Sequence, residues 1–459
     1  MTNKLSDEIQ NSSHFSKDYY DCLIHLSGTR ESVFQLFFLR KILKLKPLTV
    51  TFNHGSMSPE EQFEIERALE VFDVDNIRFN ARKSILKKAK SIFSSATQAG
   101  MYWFSLFCSQ RYRIPFVILD SGMTPPAEGF ADGTFQKFTQ QNYDYLAKKL
   151  DLAALKKFNF TDLDLLPYSF KKFADTNILV ARLDKSLSTA TAAEIAEFDA
   201  LLGAYKSDKW KSGVKPGSKW HEMPGRRPVS SEIHPERRHT VYEELAKSSR
   251  EGQPLFEKSL KYCVRCCMPE TAEALAFDEM GMCQPCRSSE QKMHINWVER
   301  EKGLQTILNE YKNQDGQNYD LIVPISGGKD STFQLFVLTQ KFGLRPLAVT
   351  FSHNLYSETG KLNLVNACDN FDIDHVIFTP RRSVINKLAR KSLGKIGDSC
   401  WHCHAGVGAF PLVAAAKFGV GLLVWGESVA ERDGRATYAA PIVFDRDYFT
   451  KISARLFAE

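Results

Sequence analysis

Residues 323–332 read VPISGGKDST, an apolar run followed by two glycines, a lysine, an aspartate and two hydroxyl side chains. A glycine-rich turn between a strand and a helix points backbone N–H groups and the positive end of the helix dipole at an anion. Gly327 and Gly328 allow close approach of the main chain to phosphate, and Ser326 and Ser331 add hydroxyl donors. A Walker P-loop is excluded, because valine stands at position 323 where that motif needs glycine. The sequence therefore predicts a phosphate-binding turn, with a tight turn that binds no ligand as the alternative.

Four cysteines form two Cys-x-x-Cys pairs in the segment CVRCCMPETAEALAFDEMGMCQPC. Sixteen residues separate Cys263 and Cys266 from Cys283 and Cys286. This spacing predicts a tetrahedral Cys₄ zinc site, with the neighbouring Cys267 as a bystander. Four thiolates leave no open coordination position, so the predicted role is structural.

A further pair, Cys400 and Cys403, lies in the stretch GDSCWHCHAG. Two thiolates are fewer than the three or four protein ligands of most clusters, so His402 or His404 would have to contribute to a metal or iron–sulfur site. A redox pair and simple loop packing are the alternatives, and the sequence leaves all three open. The remaining cysteines, Cys22, Cys108 and Cys368, are typical of buried thiols.

The chain contains an internal repeat. Residues 20–54 align with 319–353 without a gap, and 17 of the 35 positions are identical. The same offset relates DVDNIRFNARKS (73–84) to DIDHVIFTPRRS (372–383), after which the later copy carries seven additional residues around Cys400 and Cys403. Such self-similarity indicates a duplicated domain. We call residues 20–122 the first copy and residues 319–428 the second copy.

The two copies differ at the predicted phosphate turn. In the first copy the turn reads Ser27-Gly28-Thr29-Arg30-Glu31-Ser32, so a β-branched threonine replaces the second glycine. The segment after the predicted fourth strand also changes, from WGES in the second copy to LDSG in the first. We therefore expect the first copy to keep the fold, to lack the site, and to pack against the second copy as a built-in dimer partner.

Each copy alternates between apolar β-branched runs and helical patterns. In the second copy, residues 319–325, 345–352, 374–379 and 420–425 are predicted strands, and 331–342 and 405–419 are predicted helices. The first of these helices is expected to begin at a serine or aspartate N-cap. This alternation predicts an α/β fold with a parallel sheet whose ligands bind at the carboxyl ends of the strands.

Composition sets broad limits. A net charge of +6 on 459 residues does not by itself imply a nucleic-acid partner. The polar start MTNKLSDEIQNSSH is unlike a signal peptide, and no apolar run approaches the length of a membrane span, so a cytoplasmic protein is expected.

The turn S-G-G-x-D-S resembles the pyrophosphate loop of the PP-loop ATP pyrophosphatases, which split ATP into AMP and pyrophosphate. Over residues 260–435, the ordered motifs CVRCCMP, INWVEREKGLQTIL, YDLIVPISGGKDSTFQ, PLAVTF, GDSCWHCHAG and LLVWGE resemble the N-acetyl sugar amidotransferase family of the WbpG and PseA kind. Together with the internal repeat, the resemblance implies two Rossmann-like domains of the adenine nucleotide alpha hydrolase (HUP) type, the first degenerate, joined by a helical or linker region and a Cys₄ zinc ribbon. The implied domains are 1–125 (degenerate copy), 126–260 (helical region and basic linker), 261–290 (zinc knuckle) and 291–459 (ATP-binding amidotransferase domain).

The resemblance also implies a reaction. ATP would adenylate the acetamido oxygen of an N-acetyl sugar, and ammonia would then displace AMP to leave an acetamidino sugar for surface polysaccharide. A separate HisH-like glutaminase with a HisF-like companion would supply the ammonia. Implied catalytic residues are Lys329, Asp330 and Glu427; implied contacts to ATP and Mg²⁺ are Ser326, Gly327, Gly328, Asp330, Ser331, Thr332, Thr350, Phe351 and Gly426. Arg381 and Arg382 are candidates for a phosphate or a sugar carboxylate, or for a solvated helix face.

Two features depart from the family. The family domain continues further beyond the fourth strand, so a C-terminally truncated domain is expected here. Residues 126–260 match nothing in the family. They contain the helical-looking stretch AEIAEFDALLGAYKSDKW and then a basic segment rich in Pro, Gly and Ser (211–239), which is typical of a linker, with binding of an acidic partner or RNA as the alternative. A tRNA-modifying enzyme that adenylates a base with the same loop, and a non-catalytic pseudo-enzyme scaffold, are the alternative functions.

Overall fold

The computed structural model describes residues 4–12, 20–53, 55, 57–88, 93–120, 122–130, 133–155, 162–183, 189–203, 260–271, 275–353 and 356–426. The chain divides into two compact units. One contains the described residues of Met1–Lys206 and Lys302–Gly426, and the other contains those of Ser207–Glu301. Both copies of the repeat therefore belong to one unit, and the cysteine-rich segment belongs to the other.

The strands in the described residues are β1 (Cys22–His25), β2 (Pro47–Asn53), β3 (Asn76–Asn80), β4 (Phe116–Ile118), β5 (Gln136–Lys137), β6 (Leu179–Ala181), β7 (Leu321–Pro324), β8 (Pro346–Phe351) and β9 (His375–Thr379). The helices are α1 (Lys4–Gln10), α2 (Arg30–Phe37), α3 (Pro59–Phe72), α4 (Lys83–Lys88), α5 (Phe93–Tyr112), α6 (Gln140–Lys149), α7 (Leu152–Leu155), α8 (Asp162–Leu165), α9 (Ala192–Gly203), α10 (Gln284–Gln291), α11 (Trp297–Tyr311), α12 (Lys329–Phe336), α13 (Glu358–Asn370), α14 (Arg382–Ile396) and α15 (Trp401–Phe418).

The central strands are buried, as their apolar β-branched sequences require. All four residues of β1 are buried, and so are the first five of the six in β8. Helices connect these parallel strands within each copy, which confirms the predicted α/β fold. The fourth strand expected at 420–425 is reduced to a single parallel bridge between Ile322 and Leu423.

The helix after the glycine turn differs from its prediction at both ends. In the second copy α12 starts at Lys329 with Gly328 as its N-cap, and no side chain caps it, so the expected serine or aspartate cap is wrong. The helix then widens into a π-helical segment, Val337–Lys341. The first copy repeats this feature at Phe38–Ile42, so the widened turn belongs to the duplicated unit.

The two copies share one sheet. The strand order is β5-β6-β4-β1-β2-β3-β9-β8-β7, and β3 pairs with β9 antiparallel. Two separate sheets were expected from the sequence, but the pairing of these edge strands joins them into one mixed sheet. An unpaired edge strand exposes a row of N–H and C=O groups, and each copy covers the other's edge.

The junction has a local two-fold pseudosymmetry. Arg78 pairs with its own repeat counterpart, Ile377, at the centre of the β3–β9 ladder. On one side Asn76 lies opposite Thr379, and on the other Asn80 lies opposite His375, which are equivalent pairs under the repeat offset. This is the arrangement of a symmetric dimer interface within a single chain.

Side chains at the junction repeat the symmetry. Asp374 accepts hydrogen bonds from the Arg82 backbone N–H at 2.7 Å and from the Tyr319 hydroxyl at 2.8 Å. Asp75 accepts from the counterparts of those groups, the Arg381 N–H and the Tyr20 hydroxyl, each at 2.7 Å. Reciprocal carboxylates therefore cap the start of the segment after each edge strand.

The two arginines that were candidates for phosphate binding lie at this junction. The Arg381 Nε lies 3.2 Å from the Asp75 carboxylate, and the Arg382 guanidinium pairs with Glu70. Both partners belong to the first copy. The junction therefore already engages both guanidinium groups.

One hydrophobic cluster extends across both copies. It contains Phe79 and Trp103 of the first copy together with Val376 and Phe410 of the second.

No helix in the described part of the chain has the length and apolar character that a membrane span needs. The predicted basic linker, residues 211–239, lies outside the described residues.

We expect Asp374→Ala to lower the free energy of unfolding by about 3–5 kcal/mol, because it removes the carboxylate 2.9 Å from the nearly buried Arg82 guanidinium and leaves that group with the longer contact to Asp164, at 3.7 Å. Lys361→Ala is the matched control. Lys361 pairs with Glu66 across the same two copies at 3.0 Å, but those side chains are 53% and 42% exposed, so at most about 1 kcal/mol is expected. Urea unfolding of both variants measures these changes. Equal losses of unfolding free energy would show that burial of the ion pair does not determine its contribution to stability.

Candidate functional site

The predicted phosphate turn lies at the carboxyl end of β7 and leads into α12. The Ser326 backbone N–H donates to Ser331 Oγ at 3.4 Å, and that hydroxyl donates to the Gly328 carbonyl at 3.2 Å. The Thr332 hydroxyl also donates to this carbonyl, at 2.8 Å. The hydroxyl groups therefore shape the turn from within. The first N–H groups of α12 donate no hydrogen bond to a capping side chain.

The two glycines of the turn have different roles. Gly327 has φ +77, and a Cβ there would lie 2.8 Å from Leu364 N and 2.9 Å from the Gly360 carbonyl of α13. Gly328 has an ordinary extended backbone, and a Cβ there would meet only Ser326 Oγ, at 3.3 Å. The first glycine is therefore required for the close packing of the turn on α13. The second leaves space in front of the helix N-terminus.

The first copy keeps the packing glycine and fills the space. Gly28 has φ +88, and its Cβ would lie 2.4 Å from the Glu61 carbonyl. The Thr29 hydroxyl accepts a hydrogen bond from the Ser32 backbone N–H at 3.2 Å and so caps α2. The N–H that a phosphate would use is therefore already bonded to a side chain.

A carboxylate also occupies the first copy's turn. Asp120 is buried and accepts a 2.6 Å hydrogen bond from the Ser27 hydroxyl, the counterpart of Ser326. Burial raises the pKa of Asp120, and the Ser27 hydroxyl and the Gly122 N–H oppose that effect. Asp120 thus takes an anion's place in this turn, and its counterpart in the second copy is Gly426.

Gly426 lies directly against α12. A Cβ on Gly426 would be 3.4 Å from Ser331 N and 3.3 Å from Gln334 Oε1. The Gln334 amide is buried there, and neither of its polar atoms has a hydrogen-bond partner among the described residues. The sequence pattern gives no sign of this glutamine, because only tertiary packing places its unsatisfied amide beside the turn. Glu427, predicted to be catalytic, lies outside the described residues.

Lys329 and Asp330 project into solvent. Their side chains are 88% and 60% exposed, and the Lys329 Nζ lies 2.6 Å from Asp330 Oδ1. Neither side chain is committed to the core, so both are accessible to a ligand at the turn. Their predicted catalytic roles remain predictions.

Two residues at the end of β8, Thr350 and Phe351, were predicted to contact ATP. The Thr350 hydroxyl is buried, donates to the Ile325 carbonyl at 2.8 Å and lies 2.8 Å from His375 Nε2. Burial, and then the nearby Arg78 charge, lower the pKa of His375 to about 3, so this imidazole is neutral. Thr350 therefore ties β8 to its neighbours, and its hydroxyl is already engaged within the sheet. Phe351 is partly exposed and packs against Gly406 of α15.

The second cysteine pair lies at the start of α15. Cys400 is the N-cap residue and is exposed, whereas Cys403 is half-buried in the first turn. Burial raises the pKa of Cys403, and Cys400 and Asp398 add to the shift. A group of three or more metal-ligating atoms does not form around this pair in the described residues.

A histidine between these cysteines is buried. His402 Nδ1 lies 3.1 Å from the Ser399 carbonyl, and its Nε2 has no hydrogen-bond partner among the described residues. Burial, and then His402, lower the pKa of His353, whose ring stacks on Tyr356 at 4.2 Å. Burial, and then Cys403, raise the pKa of Tyr356 to about 12. The structure therefore brings His353 and Tyr356 into the electrostatic environment of the Cys400–Cys403 motif, which the sequence did not reveal.

The other unit contains the four-cysteine cluster. Sγ atoms of Cys263, Cys266, Cys283 and Cys286 all lie within 4.8 Å of one another. Cys263 and Cys286 are 3.9 Å apart, and Cys266 and Cys283 are 3.5 Å apart. Tetrahedral zinc with bonds of about 2.3 Å to sulfur needs separations of about 3.8 Å. The cluster therefore fits a zinc ion as predicted, and the exposed Cys267 lies outside it.

The surroundings of the cluster favour a thiolate at Cys263, whereas burial raises the pKa of Cys283 and of Cys286. Burial acts to raise the pKa of Cys263, but hydrogen bonds from the backbone N–H groups of Cys266, Cys283 and Arg265 lower it to about 6. The strand-like bridges Tyr262–Pro269 and Phe277–Cys283 hold the two knuckles. Among the described residues of this unit, the apolar cluster beside the cysteines includes Leu275, Phe277 and Met282, so metal binding would supply much of its stability.

Comparison with known proteins is limited. No protein-family model matches the chain. An uncharacterized protein of Methanocaldococcus jannaschii, MJ1599, is 28% identical over 108 residues, which are 24% of this chain and 38% of that protein. The chain thus matches well under half of that relative's length.

Proposed function

We propose that the second copy is a Rossmann-like PP-loop domain that binds ATP, and that the protein is an ATP-dependent N-acetyl sugar amidotransferase. The supporting observation is the contrast between the two turns. In the second copy the helix N-terminus has no side-chain cap, and the two positions beside it, Gly328 and Gly426, carry no side chain. In the first copy, Thr29 and Asp120 fill the equivalent space.

The proposed reaction has two steps. The acetamido oxygen of the sugar attacks the α-phosphorus of ATP, and the bond to pyrophosphate breaks. Ammonia then adds to the activated carbon, loses a proton, and expels AMP with the oxygen, which leaves an acetamidino group. Adenylation is needed first because an amide oxygen is a poor leaving group.

Particular residues suit the first step. Backbone N–H groups at the start of α12 would bind the pyrophosphate group and stabilise the charge that develops on it. Lys329 would neutralise an outer phosphate, and Asp330 would hold Mg²⁺ with the help of Glu427. Bound Mg²⁺ would share the charge of the leaving group. The Cys₄ cluster would hold a structural zinc ion.

Ammonia is proposed to come from a partner. The sequence shows no recognisable glutaminase motif. A HisH-like glutaminase with a HisF-like companion would therefore supply it, and added ammonium salts should replace the partner in an assay.

We expect the full chain to catalyse ATP–pyrophosphate exchange that depends on an N-acetylated sugar or nucleotide sugar. Radiolabelled pyrophosphate incorporated into ATP measures the first step without ammonia, so the assay does not need the glutaminase. Bulk tRNA is the parallel substrate. Exchange with tRNA alone would overturn the sugar assignment, and no exchange with either would favour a non-catalytic scaffold.

A tRNA-modifying enzyme is the second candidate, because the Cys400–Cys403 pair and the buried His402 lie at the start of α15 in the same copy as the turn. Sulfur insertion into a base often uses such thiols or an iron–sulfur cluster. Anaerobic purification followed by iron analysis and visible spectroscopy separates the two candidates. Iron with a visible band that disappears in Cys400→Ser would favour this candidate.

A further inference from the structure

The two copies differ in how their first helices are covered. In the first copy Phe34 and Phe37 of α2 are fully buried. Their counterparts in α12, Phe333 and Phe336, are 65% and 48% exposed. The residues are identical and the helices equivalent, so the difference comes from what lies on top of each helix.

Helix α9 covers the first copy. Phe198 of α9 lies edge-on to Phe34 at 5.3 Å and lies 5.6 Å from Phe37. Leu202, one turn further along, is also buried, and Asp199 pairs with Arg30 at 2.6 Å. Helix α9 is thus an amphipathic cover, and in the chain it follows β4, the fourth strand of the first copy.

The uncovered surface of the second copy includes exposed apolar side chains from two helices. Phe333 and Phe336 contact each other at 6.3 Å, and Phe336 also lies 6.3 Å from Phe371. On the adjacent α13, Leu362 and Val365 are 42% and 51% exposed. An exposed group of this kind marks a binding surface for another apolar element. We call these five residues the α12–α13 patch.

We propose that residues 447–459 of this chain, DYFTKISARLFAE, bind the α12–α13 patch as the counterpart of α9. Phe449, Ile452 and Leu456 have the i, i+3, i+7 spacing of Ile195, Phe198 and Leu202 in α9. Asp447 precedes them as a suitable N-cap. The pattern therefore matches the helix that covers the equivalent surface.

The last described residue before this segment, Gly426, lies close to one helix of the patch. Gly426 lies against α12, since a Cβ on it would be 3.4 Å from Ser331 N. An extended chain reaches about 3.3 Å per residue, whereas a helix the length of α12 spans roughly 12 Å. The residues between Gly426 and position 447 are thus more than long enough. A segment of the same chain also has a high effective concentration for the patch.

The test compares two double variants of the full chain. Ile452→Asp with Leu456→Asp puts two charges on the proposed contact face. Thr450→Asp with Ala454→Asp puts the same charges, at the same spacing, on the opposite face. The measurement is amide hydrogen exchange of residues 333–341 in each variant at several protein concentrations.

We expect exchange in residues 333–341 to be at least about tenfold faster in the first variant and unchanged in the control. Unchanged exchange in the strands of the sheet verifies that both variants are folded. Equal rates in the two variants would overturn the proposal. Protection that increases with protein concentration and is the same in both variants would also overturn the proposal. It would indicate that another molecule of this protein covers the patch.

Discussion

Gly328→Thr is expected to weaken ATP binding by about a hundredfold or more. The backbone at Gly328 is extended, so threonine is compatible with it, and the Ser326 hydroxyl, 3.3 Å from the added Cβ, needs only a small shift. Its hydroxyl would accept a bond from the Ser331 N–H, as Thr29 accepts one from Ser32 in the first copy. A hydrogen bond to a charged group is worth about 1.5–3 kcal/mol, and the side chain would also exclude a phosphate sterically. Isothermal titration with ATP and Mg²⁺ measures the loss.

The reciprocal change provides the control. Thr29→Gly should not create a second site, because Asp120 would still occupy the first copy's turn. Gly327 is unsuitable for this test, because any side chain there collides with α13 and disturbs the fold. A Ser27 variant that loses ATP binding as severely as Gly328→Thr would mean that both turns bind nucleotide.

A second substitution, Gly426→Asp, should also weaken ATP binding. Gly426→Asp places a carboxylate where Asp120 lies in the first copy, within about 3–4 Å of Ser331 N. An anion there would compete with phosphate and repel it. Full ATP affinity in Gly426→Asp would contradict the interpretation of Asp120 as the group that closes the first copy's turn.

The other large effect concerns the metal. We expect one zinc ion per chain in the wild type and none in Cys263→Ser with Cys283→Ser, because two remaining thiolates cannot complete a tetrahedral site. The small apolar cluster around the cysteines cannot replace the metal's contribution, which for structural zinc is on the order of 10 kcal/mol. Elemental analysis after anaerobic purification measures the content.

Cys267→Ser is the matched control, since Cys267 is adjacent to the cluster but exposed and outside it. It should retain full zinc. Zinc that persists in the double variant would place the metal elsewhere, with Cys400 and Cys403 as the first positions to examine.

Sequence patterns were most reliable where local chemistry decides the structure. Short apolar β-branched runs predicted the strands of both copies, because burial on both faces of a sheet requires them. Cysteine spacing predicted the four-cysteine cluster, because ligands two residues apart converge on one metal. The helix cap was mispredicted, because a glycine cap leaves no side-chain signal.

The sequence by itself determined that the chain holds a duplicated α/β unit, one intact glycine turn, one altered turn and a four-cysteine cluster. Tertiary structure alone decided that β3 and β9 join the copies into one sheet, because edge-strand pairing depends on backbone groups that every sequence carries. It alone brought Asp120 to Ser27, separated by 93 positions in the chain, because packing sets that contact and local spacing does not. For the same reason, two identical pairs of phenylalanines are buried in one copy and exposed in the other.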